Sequence, residues 1–549
     1  MDADLILTNA RILTMDPDNP RAEAIAIAGD RILAVGRNDD IRALAGPDTR
    51  RRDAGGATLL PGFVESHLHL FSGAYGETLL QLAGVKGFDA LKRAVDGFAA
   101  ANPDTPLLFG QGADYALLGP DRMLDRHTLD AICPDRPLIV MAYDFHSAFA
   151  NTAALKAAGL LQGRALPPGN EVVMGKDGLA TGELHEKHAF LPVLDLRTTG
   201  GREMLGMSGI EPPVPPSDKE RADDRAFLKL GLRHAARHGI TAMHNMDGNR
   251  YMLEVLREIE TEGDLIARVR VPFHLTPEMD LSELDRASAM TRDFTGLTLS
   301  SGYVKMFLDG VIESGTAAML APYANRPGHR GETLFTREAF LAAATEADRR
   351  GLQIAVHAIG DAAVRLALDG YEAAAQANGP RDRRNRIEHI EMIAPEDVPR
   401  LAKLGVVASM QPPHAPQGES GTTAGIGPDR ARQAYVWRDL HDAGAVVAFS
   451  SDWPIVPISP LAGIQAAMMR ENWIDGLPDQ RLELHDVLAA YTRNGAYVGF
   501  METETGTLRA GMKADLTVLS GDIEATPHDR IAQMGIALTI CDGRITHDA

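Results

Sequence analysis

Eight short apolar segments punctuate the middle of the chain, and stretches of helical periodicity separate most of them. The segments are Thr58 to Val64, Ile240 to His244, Val269 to His274, Tyr303 to Phe307, Gln353 to His357, Arg386 to His389, Val406 to Met410 and Val446 to Ser451. Between them, runs such as Arg337 to Arg350 and Asp361 to Ala377 have the apolar spacing of amphipathic helices. Short apolar strands alternating with helices predict an α/β fold with a parallel sheet. Eight such units favour a closed (β/α)8 barrel of the TIM type. An open sheet is the alternative, because strand order is not written in the sequence.

The two ends read differently. Leu5-Ile6-Leu7, Arg11 to Thr14, Ala24 to Ile27 and Arg31 to Val35 are strand candidates, with Gly29-Asp30 at a hairpin turn. Asp515 to Leu519 and Ile536 to Cys541 repeat the pattern, and Asp542-Gly543 is a hairpin signal before Arg544-Ile545. Residues 1–58 and 505–549 are therefore expected to build one small composite β-sandwich domain, around a barrel over 59–504. The barrel rhythm breaks over 71–219, which carries runs such as Leu166-Pro167-Pro168-Gly169-Asn170 and Glu211-Pro212-Pro213-Val214-Pro215-Pro216. That stretch reads as an insertion over the face where barrel active sites lie, the natural place for a substrate lid.

Composition narrows the function classes. Of 549 residues, 45% are apolar and 24% charged, as in a globular enzyme. The formal net charge of −20 repels phosphate backbones, so no nucleic-acid partner is expected. No apolar run approaches the roughly 20 residues of a membrane span. The acidic start, Met1-Asp2-Ala3-Asp4, is unlike a secretory signal, and a cytoplasmic location is expected. Cys133 and Cys541 form no metal-type pair and no disulfide framework. The expected partners are a small-molecule substrate and a second copy in a homodimer.

The chemistry sits at the ends of the strands. His67 and His69 are two apart, so one strand aims both imidazoles the same way. Lys305 lies in the fourth strand, His357 and His389 end the fifth and sixth, and Asp452 follows the eighth. In a barrel those ends converge on one face. Four histidines, one lysine and one aspartate would then share a site, and imidazole and carboxylate are the usual ligands of zinc and similar divalent ions.

The chain resembles the amidohydrolase superfamily, in the branch that includes N-substituted formamide deformylases. The matching pieces are Pro-Gly-Phe-Val-Glu-Ser-His-Leu-His from Pro61, Val-Lys-Met-Phe-Leu-Asp-Gly from Val304, Val-His-Ala-Ile-Gly-Asp from Val356, Arg-Ile-Glu-His from Arg386 and Ser-Asp-Trp-Pro from Ser451. The run from Gly506 to Leu519 matches the family's C-terminal β segment. The resemblance implies two divalent metal ions, with zinc expected. It implies that His67 and His69 hold one with Asp452, that His357 and His389 hold the other, and that a carbon dioxide-derived carbamate on Lys305 bridges them.

Metal chemistry then predicts a hydrolase that cleaves a C–N bond of an amide, formamide, carbamate or cyclic amide. A water acidified by the metal is the nucleophile, and Asp452 is the proton carrier. The alternatives are a mononuclear deaminase, an esterase or lactonase using the same centre, and a non-catalytic binding or regulatory protein. Substrate contact is expected from His146, Asp309, Glu313, Gln411, His414 and Trp453. His146 lies in a stretch resembling the branch's Asp-Gly-His-Ser, with Phe145 where Gly is usual. Glu313 is acidic where the branch is neutral or basic, so in the pocket it would disfavour anionic substrates. His274 reads as a buried structural histidine.

Overall fold

In the computed structural model, residues 2–119, 123–143, 146–167 and 170–549 are described. The chain divides into two compact units. One comprises Met1–Gly73, Leu205–Glu211 and Leu228–Ala549; the other comprises Ala74–Met204 and Pro212–Phe227.

The first unit carries eight parallel strands: β1 (Phe63–Leu68), β2 (Ile240–Asn245), β3 (Arg268–Arg270, continuing as Phe273–His274), β4 (Tyr303–Phe307), β5 (Gln353–Ala358), β6 (Arg386–His389), β7 (Val407–Met410) and β8 (Val447–Phe449). β1, β2 and the first half of β3 are hydrogen-bonded in that order. The second half of β3 starts the run β4, β5, β6, β7, β8. Beyond β8 the chain returns to β1: the Asp452 amide donates to His67 O at 2.9 Å, and the His69 amide to Trp453 O at 2.8 Å. Every residue of β1, β2 and β5 is buried, as expected of parallel strands covered on both faces.

Helices follow the strands and carry recognisable start signals. Asn249 caps Arg250–Thr261 by accepting the Met252 amide, and Thr336 caps Arg337–Arg349 by accepting the Ala339 amide. Asp361–Asn378 stops at Gly379. No helix among the described residues is long and apolar enough to cross a membrane.

Two further sheets come from the chain ends. One has the order Arg31–Gly36, Ala24–Ala28, Ala3–Thr8, Ala45–Asp53. The other runs Arg544–Asp548, Ile536–Cys541, Leu516–Leu519, Thr58–Pro61, Arg11–Leu13, Arg21–Ala22. A single apolar cluster joins residues of both, including Leu5, Ile27, Leu59, Leu516 and Ile540.

Two expected strands are each divided. Thr58 to Val64 reads as one strand, but Thr58–Pro61 belongs to a terminal sheet and Phe63–Leu68 is β1. The chain changes sheets at Gly62, where a Cβ would stand 2.1 Å from Thr241 Oγ1. Val269 to His274 is interrupted at Val271 and Pro272, whose ring nitrogen has no proton for the ladder.

The second unit holds a mixed six-stranded sheet. Leu80–Gln81, Leu108–Ala113 and Leu138–Ala142 run parallel, and Ser147–Ala150, Ala180–His185 and Glu171–Met174 continue it antiparallel. Leu138–Ala142 is wholly buried, with Leu91 and Val95 of the helix Phe88–Ala101 in the same cluster as Leu138 and Val140.

The first unit also contains a buried ion pair. Arg268 of β3 donates from Nε to Asp515 Oδ2 at 2.7 Å and from Nη2 to Asp515 Oδ1 at 3.0 Å, both residues being about 1% exposed. Asp515→Ala leaves the guanidinium buried with only Asp542 as a carboxylate partner. The variant should lose about 3–5 kcal/mol of stability, seen as a lower denaturant midpoint. An unchanged midpoint would show that the pair carries no stability.

Candidate metal centre

Five strand ends bring the expected ligands together. Asp452 Oδ1 lies 3.2 Å from His67 Nε2 and 3.1 Å from His69 Nε2. Two atoms bound to one ion at ~2.0–2.2 Å with near-tetrahedral angles stand roughly 3.3 Å apart, so this spacing suits shared coordination. His67, His389 and Asp452 offer ligand atoms that all lie within 4.8 Å of one another. The His389 ring is 4.8 Å from that of His67 and 4.5 Å from that of His357, centroid to centroid.

Each imidazole is held by one nitrogen. His67 Nδ1 meets Glu388 Oε2 at 2.8 Å, and His69 Nδ1 meets Asp247 Oδ1 at 2.6 Å. His389 Nδ1 meets Gln411 Oε1 at 2.8 Å, and His357 Nε2 meets Gly310 O at 3.1 Å. A ring nitrogen facing an oxygen acceptor carries the proton, which leaves the other nitrogen as a lone-pair donor. That division of labour is the one metal-binding histidines use. With a metal ion in place of the proton, the donor atoms would be Nε2 of His67 and His69, which here face Asp452 Oδ1, Nε2 of His389, and Nδ1 of His357.

Around Asp452 and His69 the electrostatics favour positive charge. Burial opposes a proton on His69, yet Asp247 and Asp452 hold its pKa up, to about 10. Burial alone would raise Asp452, but His67 and His69 hold its carboxyl well below the usual range. Burial and the Lys305 charge push His357 down to about 3. A divalent ion would supply the charge that a proton on His69 otherwise supplies.

Lys305 is fully buried, and its Nζ has no hydrogen-bond partner. Burial pushes its pKa down to about 8. An unpaired buried amine is costly, and its state is explained once a group that uses it is added. The donor set therefore fits a divalent metal ion.

Two of the expected ligands lie in the left-handed backbone region, His389 at φ 77° and Asp452 at φ 63°, and Ile390 follows at φ 48°. Such conformations cost about 1–3 kcal/mol each and persist where surrounding structure imposes them. At His389 the kink breaks strand alternation. Glu388 and His389 therefore both reach the site.

The other expected contacts fall in different places. Gln411 is the anchor of His389 and donates from Nε2 to Ser450 Oγ at 2.9 Å. His414 stacks parallel to His389 with centroids 6.2 Å apart. Asp309 accepts the amides of Ala318, Ile359 and Gly360 at 2.8–3.0 Å. Glu313 is exposed and accepts from Thr422 Oγ1. Trp453 stacks on His234 with centroids 5.5 Å apart, and a Cβ on Gly73 would stand 2.5 Å from its Cε3. His146 belongs to the second unit, where its Nδ1 lies 3.0 Å from Glu186 Oε1. Phe145 lies outside the described residues. His274 is buried and stacks on Phe307.

Several residues escaped the sequence reading. Arg386 grips Glu388 at 2.5 and 3.0 Å, donates to Ser409 Oγ at 2.7 Å and His244 Nδ1 at 2.8 Å, and bonds Ser66 O. The two-residue spacing of Arg386 and Glu388 was the available signal, since it puts both on one strand face. Asp247, beyond the end of β2, had no comparable signal.

Residues 50–547 match the amidohydrolase family. The chain belongs to that family. It is an enzyme, a metal-binding hydrolase acting on carbon–nitrogen bonds. It is 30% identical to Protein LONG AFTER FAR-RED 3 of Arabidopsis thaliana, over 94% of this chain and 87% of that one. It is 24% identical to the N-substituted formamide deformylase of Arthrobacter pascens, over 99% and 98% of the two chains. Among solved structures, an uncharacterised metal-dependent hydrolase from Pyrococcus horikoshii OT3 superposes with a TM-score of 0.76 at 25% identity. That match covers 96% of this chain and 99% of the other.

In such a centre the outer acceptors set metal affinity. Gln411→Leu removes the acceptor of the His389 Nδ1 proton and should weaken divalent-metal binding about 10–100-fold in a competition titration with a chromogenic chelator. Unchanged affinity would show that the His389–Gln411 tie does not organise the site.

Proposed function

We propose that this amidohydrolase cleaves an amide-type C–N bond at a binuclear centre, with zinc the expected ion and an N-substituted formamide or N-acyl amine the substrate. The observation that carries the reading is the set of four imidazoles, each anchored through one nitrogen, gathered with Asp452 and accompanied by a buried lysine amine that has no hydrogen-bond partner. His67, His69 and Asp452 would hold one ion, and His357 and His389 the other. A carbamate on Lys305 would bridge them, turning an unpaired cation into an anion with two oxygens. The formamide deformylase relative supports the substrate class.

The returns from Asp452 to His67 O and from His69 to Trp453 O support one closed (β/α)8 barrel. The apolar cluster shared by the terminal sheets supports a composite β-sandwich.

When bound, the ions supply Lewis acidity to a water and to the scissile carbonyl. Asp452 is kept ionised by His67 and His69. Its carboxylate takes the proton of the attacking water and returns it to the leaving nitrogen. Gln411, Glu388, Asp247 and the Gly310 carbonyl keep the imidazoles in one tautomer and orientation.

Asp452→Asn in metal-loaded protein should lower kcat for N-alkyl formamides by about 10²–10⁴ while the circular dichroism spectrum is retained. Turnover close to wild type would remove Asp452 from the proton-carrying role.

A further inference from the structure

Two buried polar atoms beside the ligand set, Glu391 Oε2 and His414 Nε2, have no hydrogen-bond partner. Glu391 is 6% exposed. The residues face each other, with His414 Nδ1 3.8 Å from the Glu391 carboxylate. Glu391 comes two residues after the ligand His389, past the left-handed turn at Ile390. His414 ends the short helix after β7 and lies parallel to the His389 ring. The pair therefore stands next to the reacting centre.

The surroundings set the sign of the ligand. The charge of Glu313 is felt at Glu391, whose carboxylate also shares a hydrogen bond with the Tyr435 hydroxyl. The Arg470 guanidinium beside Tyr435 donates to Ala434 O at 3.0 Å and Asn472 Oδ1 at 3.1 Å. A buried carboxylate oxygen with an open acceptor position matches a group rich in N–H donors. Glu313 adds a preference for a positive one.

We propose that Glu391 and His414 form a subsite for a protonated amino group carried on the substrate's nitrogen substituent. The substrate class is then an ω-aminoalkyl formamide or amide. This deepens, and rests on, the formamide-hydrolase reading above. The subsite holds the remote ammonium by charge-assisted hydrogen bonds and so orients the scissile bond toward the ligand set.

The test compares the mono-N-formyl derivative of butane diamine with its uncharged analogue N-pentylformamide, using metal-loaded wild type, Glu391→Gln and His414→Gln. Wild type should favour the amino substrate in kcat/KM by about 10- to 100-fold, mostly through KM. Either variant that folds should lose most of that preference. A ratio unchanged in the folded variants, or no preference in wild type, overturns the subsite. Calorimetric binding of butane diamine against pentylamine gives a second readout that needs no turnover. Without formamide hydrolysis the functional reading fails, and the subsite is then judged by calorimetry alone. A diamine preference lost in Glu391→Gln supports it, and equal binding of the two amines overturns it.

Discussion

The Asp452 carboxylate joins the segment after the last strand to the end of the first, and much of the site hangs on that contact. Its Oδ1 meets the Nε2 atoms of both His67 and His69, and its backbone amide bonds His67 O. One residue thus fixes the chain where β8 and β1 come together and supplies the negative charge that the two imidazoles face. Its left-handed backbone is tolerated because side chain and amide are held at once.

Beneath the ligands lies a second tier that carries the orientation. Arg386 binds Glu388, and Glu388 binds His67, so a buried guanidinium on β6 sets a ring on β1. Ser409 of β7 and His244 of β2 are tied to the same guanidinium. A network of this kind gains most when its members are satisfied; here Arg386 and Glu388 are paired, while His244 Nε2 is not. That requirement links the packing of four strands to the aim of a single nitrogen.

The parallel strands were legible because a strand buried on both faces writes an uninterrupted apolar run. Val447–Phe449 falls where that signal puts it. It fails where the chain changes sheets without changing hydropathy: Thr58–Pro61 and Phe63–Leu68 are both fully buried, and only Gly62 marks the passage. The strand from Ala45 to Asp53 escaped because Arg50-Arg51-Arg52-Asp53 is polar throughout. At the site, the expected ligands stand out because most of them end strands. Some of the residues behind them do not, because Asp247 acts on His69 from 178 residues away and His244 meets Arg386 across 142. Trp453 adjoins the ligand Asp452 in sequence, yet its ring is taken up by Gly73 and His234. Adjacency along the chain did not reveal which way the indole packs.

The unpaired amine of Lys305 is where the account is most exposed. Divalent-metal content per chain, measured by elemental analysis on protein prepared without chelator, tests it most directly when set beside Lys305→Ala. The account predicts about two ions per chain, falling sharply in the variant. About one ion, unchanged by the substitution, would contradict a lysine-bridged pair.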